Sequence, residues 1–141
     1  SAEGYLTGIV ENIDNTEYSS TSLTYENGDI TSISSKMNGL ENKFIYEPGE
    51  ESSTYHLPCL GLLEIHPLTF HIEALYAGLL GKDPRHFTIR SCPAGSNDEK
   101  TIYSYEFDKK GNPSRMICQT TYAGGQANYY PYTRNISVSF E

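Results

Sequence analysis

Between Pro58 and Phe87 the chain gathers its most concentrated apolar stretch, and any fold it adopts must find room for it. Inside that stretch Leu68, Ile72, Leu75, Tyr76, Leu79 and Leu80 recur at three- and four-residue intervals. Such spacing lines side chains along one stripe of an α-helix. Pro67 suits a first helical position, where its missing N–H would have no partner. Gly81 offers a left-handed cap, Lys82 complements the negative helix end, and Pro84 forbids continuation. The pattern therefore predicts a helix over about 68–80. Gly78 within it costs about 1 kcal/mol relative to Ala, which fits a close approach to a neighbouring backbone.

Everything on either side reads as short strands. A first one spans about 5–13 and ends in the turn residues Asn12 to Asn15. From Ser19 to Tyr25, the residues Thr21, Leu23 and Tyr25 alternate with Ser20, Ser22 and Thr24, the period of a half-solvated strand. Asn27-Gly28 follows, and both residues accept the positive φ of a primed hairpin turn, so Ile30 to Ser35 is the returning partner. Asn38-Gly39 repeats the signal. Asn42 to Glu47 is a further strand that Pro48-Gly49 should end, leaving 47–51 as an acidic loop, with one more short strand at 53–57. Phe87 to Cys92, Thr101 to Phe107, Ser114 to Tyr122 and Asn135 to Phe140 complete the series, with a long aromatic loop from Ala123 to Tyr132. Leu23 to Ile33 and Tyr105 to Met116 echo each other as strand, Gly turn and returning strand. The expected fold is mainly β: a curved antiparallel sheet or partly open barrel of about eight to ten strands, with one central α-helix, about 68–80, on its concave face. One domain spans 1–141.

Charge and chemistry narrow the function. A formal charge of −8 disfavours nucleic acid and anionic membrane surfaces, which both call for basic patches. No apolar run approaches the roughly 20 residues of a membrane-spanning helix, and polar Ser1-Ala2-Glu3-Gly4 would suit either an expression-derived or a mature-chain beginning, so targeting gives no compartment. Cys59, Cys92 and Cys118 are widely spaced and odd in number, so they define neither a zinc pattern nor a disulfide framework. His56, His66, His71 and His86 include no pair four apart on a helix. Glu47, Glu50 and Glu51 lack the spacing of a calcium loop. No nucleophile elbow, phosphate loop or dinucleotide fingerprint is present. No cofactor, no metal and no enzymatic activity are therefore expected, although paired carboxylates of glycosidase type stay open because their separation is set in space.

The least ordinary feature is aromatic. Tyr occurs 12 times and Trp not at all, and Tyr122, Tyr129, Tyr130 and Tyr132 cluster around one loop with Gly, Gln and Asn. That composition suits a recognition surface, since exposed aromatic rings stack on sugars and partner proteins. Gly124-Gly125 frees the backbone and Pro131 stiffens it. The competing reading folds the same rings back over a thin sheet edge.

Over Tyr25 to Ile33, Ala74 to His86, Tyr105 to Met116 and Ile136 to Phe140, the chain resembles the bacterial domain-of-unknown-function family 4595, described as porin-like. The resemblance implies an exported lipoprotein type from Gram-negative bacteria, in the periplasm or at the cell surface. Membrane association would run only through a lipid anchor upstream of the domain. The family has no assigned activity, so no functional residues carry over. The expected function is a monomeric, non-enzymatic extracytoplasmic binding or structural module that presents its Tyr loop to a glycan or surface protein. The alternative is a carrier of a small apolar ligand or lipid, held in a cavity between helix and curved sheet.

Overall fold

The computed structural model describes residues 1–52, 81–96, 98–111, 113–123 and 131–137. They form one antiparallel sheet in which chain order and spatial order coincide. Its strands are β1 (Gly8–Ile13), β2 (Thr16–Glu26), β3 (Asp29–Met37), β4 (Leu40–Ser52), β5 (His86–Pro93), β6 (Glu99–Phe107), β7 (Pro113–Tyr122) and β8 (Tyr132–Ser137). The first three connections are two-residue turns with positive φ throughout: Asp14-Asn15 at 51° and 61°, Asn27-Gly28 at 53° and 89°, Asn38-Gly39 at 51° and 77°. Asn and Asp tolerate that conformation better than other side chains and Gly has no Cβ to clash, so these turns follow from composition.

One bulge decides where the core lies. Ile30 and Ile33 are three apart, so on a regular strand they would face opposite sides. The β2–β3 register shifts between Thr24 and Tyr25, leaving Thr31 as the extra residue. Ile30 then stands opposite Tyr25 and Ile33 opposite Leu23, all on one face. Leu23, Ile30, Ile33 and Tyr46 form the first buried cluster, with Leu6, Ile9, Tyr25 and Phe44 packed against it. Tyr103, Met116 and Cys118 form a second on β6 and β7, flanked by Tyr105.

The chain re-enters the described residues at Gly81 and crosses one end of the sheet before β5. Gly81 bridges to Tyr5, and Lys82 N–H donates to the Gly4 carbonyl at 2.8 Å. Arg85 N–H then donates to the Gly28 carbonyl at 3.0 Å, within the β2–β3 turn. Residues 81–86 thus strap the N-terminal segment to the β2–β3 hairpin.

Three expectations are corrected. A helix-centred fold is not what the described residues show: they are all-β, contain no helix, and draw both buried clusters from strand side chains. The apolar stripe over 68–80, like the short strand expected at 53–57, lies outside the described residues. A carrier cavity between helix and sheet loses its basis with it, because the described sheet has no helix to lie against. Pro48-Gly49 does not stop its strand either. The last β3–β4 pair is Ser32 with Ile45, so Pro48 sits past the point where β4 leaves β3, at a register shift against β5. A residue without an N–H is tolerated at such a bulge.

Candidate functional site

The rim anticipated from the Tyr cluster lies where β7 ends and β8 begins. Tyr122 closes β7 opposite Glu99 and is half-buried; Tyr132 opens β8 opposite Thr120 and is 50% exposed. Directly opposed residues share a face, as do alternate residues along a strand. Tyr122, Thr120 and Tyr132 therefore lie on one face, with the two tyrosines as diagonal neighbours. Half-buried Arg134 follows on that face, opposite Cys118. Tyr129 and Tyr130 lie outside the described residues. Tyr132 is not a loop residue as expected, because it pairs in the β7–β8 ladder.

The ladder also extends the rim inward. Tyr46, Ser91, Thr101, Thr120 and Tyr132 stand opposite one another in turn across β4 to β8. Every member carries a hydroxyl, and all but Tyr132 are buried. Thr101 Oγ1 and Thr120 Oγ1 are 2.9 Å apart, and Ser91 Oγ is 2.8 Å from the Tyr103 hydroxyl. The row is thus three small hydroxyl side chains set between buried Tyr46 at one end and the half-exposed Tyr132 ring at the other.

A second constellation lies at the opposite end of the strands and was missed from the sequence. Asp29 Oδ1 accepts the backbone N–H of His86 at 2.8 Å, and Asp29 Oδ2 lies 2.8 Å from His86 Nδ1. The Asp29 side chain is 10% exposed and that of His86 30%. Around them Tyr5 stacks on Tyr25 at 4.8 Å, and Lys82 Nζ stands 5.0 Å over the Tyr5 ring. Asp29 reads locally as a turn residue after Asn27-Gly28, and its partner is 57 positions away, so no spacing could have joined them. A carboxylate oriented on an imidazole is also an element of many active sites. Here Ser52 stands opposite His86 in the ladder, and among the described residues no group of three His, Cys, Asp or Glu is placed to hold a metal ion. No catalytic constellation is assembled among those residues, and the pair's visible work is to fasten the strap.

The fold is that of a porin-like class. A family model described as "Domain of unknown function (DUF4595) with porin-like fold" matches residues 1–115, and the chain belongs to that family. Among solved structures it is similar to a porin-like protein from Bacteroides uniformis ATCC 8492, with a TM-score of 0.79 and 24% identity over 97% of this chain. The match takes in 54% of that protein, so the chain spans about half its length. No curated protein matches. The Tyr rim lies beyond the family-matched residues, whereas Asp29 and His86 lie within them.

Proposed function

We propose that residues 1–141 form a single-domain, monomeric, non-enzymatic module of an extracytoplasmic lipoprotein, whose β7–β8 rim contacts a glycan or a surface protein. Membership of a porin-like family suggests a place outside the cytoplasm. Periplasm or cell surface, and anchoring by an upstream lipid, belong to the proposal. The observation that carries the binding role is Tyr132: half exposed, held in ladder register, and sharing its face with Tyr122 and Arg134. A ring fixed on a strand loses little entropy when a sugar or side chain stacks on it. Tyr129 and Tyr130 complete the surface in this reading. The test is Tyr132→Ala on glycan and surface-protein arrays. Capture should fall by at least about fivefold, the loss of a contact of about 1 kcal/mol, while the melting temperature stays at the wild-type value. Unchanged capture would remove the rim from the function.

A further inference from the structure

The face that points away from the buried clusters bears on the word porin. In a membrane-spanning barrel the outward positions of every strand form an apolar band against lipid, and polar residues turn inward. Here the polarity runs the other way. Leu23, Ile33, Tyr46 and Met116 are buried on the inner face. On the outer face, Glu47, Arg90, Ile102, Gln119 and Thr133 stand opposite one another in turn across β4 to β8, back to back with the hydroxyl row. Ile102 is the one apolar member. Glu47 and Arg90 sit mid-strand and pair at 2.7 Å. Arg115 spans three strands on the same face, 3.3 Å from Glu106 on β6 and 2.8 Å from the Asn135 side chain on β8. Ser34 donates to Glu41 at 2.8 Å, and Lys43 stands opposite Ser34.

We infer that this sheet is built to face water on its outer side and is not a lipid-embedded wall, despite its porin-like family. The charged groups are not confined to the strand ends, where an interfacial girdle could hold them. Glu47 and Arg90 hold the middle of consecutive strands as an opposed pair, and Glu106 and Arg115 repeat such a pairing on β6 and β7 nearer the strand ends. Ion pairs in that position are compatible with water and costly against hydrocarbon. The partners of this face are therefore aqueous, and any hold on a membrane must come from outside the sheet.

The full 141-residue chain, purified without detergent, tests this directly. It should run as a folded species on size exclusion, stay at the bottom of a flotation gradient with phosphatidylcholine–phosphatidylglycerol vesicles, and release no dye trapped in them. Ile102→Glu, which places a carboxylate opposite Arg90, should remain soluble with a melting temperature within about 4 °C of wild type. Flotation with dye release, or a need for detergent to stay folded, would overturn the inference. So would loss of fold in Ile102→Glu, because it would set Ile102 against something other than water.

Discussion

Asp29 directs both carboxylate oxygens at a single residue, one to the His86 backbone and one to its ring. The two arms can be separated. Asp29→Ala removes both and leaves a partly buried N–H without its acceptor, a loss of about 2–3 kcal/mol for hydrogen bonds to a charged group. His86→Ala removes only the ring arm and should cost about 1 kcal/mol. Urea midpoints at unchanged slope would show the difference, and coincident midpoints would mean that the backbone arm contributes nothing. The neighbouring turn permits a second comparison. Gly28 and Gly39 both have positive φ, where a Cβ costs roughly 1–2 kcal/mol. A Cβ on Gly28 would also come within 2.8 Å of the Arg85 side chain and the Tyr5 hydroxyl, whereas Gly39 has nothing within 4 Å. Gly28→Ala should therefore destabilise more than Gly39→Ala, and the excess should shrink in an Arg85→Ala background.

At the scale of elements, legibility follows how local the determining physics is. The β2–β3 hairpin could be read from Thr21, Leu23 and Tyr25 alternating ahead of Asn27-Gly28, because alternation and turn chemistry act within about ten residues. The Thr31 bulge could not, since only the pairing of Ile30 with Tyr25 shows why two isoleucines three apart reach one face. Pro48-Gly49 carries the signal of a stop, yet β4 runs through it after leaving β3. The stripe from Leu68 to Leu80 points to a central helix on the concave face, whereas the described clusters are made by strands. Of the candidate site, the sequence singles out Tyr122 and Tyr132 by composition but shows neither the strand position of Tyr132 nor their shared face, which depend on β7–β8 register. Burial turns the same logic into a prediction. Ile33 is 0% exposed, so Ile33→Ala should cost about 2–5 kcal/mol and Ile33→Val about 1. Val10 is exposed on β1, and Val10→Thr should stay within about 0.5 kcal/mol of wild type. Equal urea midpoints for Ile33→Ala and Val10→Thr would place the core elsewhere.

Seen whole, the sheet has a seam. Between β5 and β6 the ladder is short, with Arg90 opposite Ile102 and Ser91 opposite Thr101, whereas β6 and β7 pair from Glu99–Tyr122 down to Phe107–Pro113. The two buried clusters lie on either side of this seam. Side chains cross where the backbone pairs least. Phe87 packs on Tyr105 at 4.6 Å and on Phe107 at 5.9 Å, the Tyr105 hydroxyl donates to the Thr88 carbonyl at 2.7 Å, and Ser91 meets Tyr103. Cooperativity between the halves then rests on Phe87 more than on the ladder. Phe87→Ala removes a buried aromatic, a change that costs about 3–5 kcal/mol in a core, and here the loss falls on the coupling between two clusters that each remain packed. Calorimetry of wild type should show one transition with equal calorimetric and van't Hoff enthalpies. In Phe87→Ala the calorimetric enthalpy should exceed the van't Hoff value, and hydrogen exchange should lose protection along β5 and β6 before β2 and β3. A variant that simply melts lower, still in one transition, would show that the halves are joined by more than this seam.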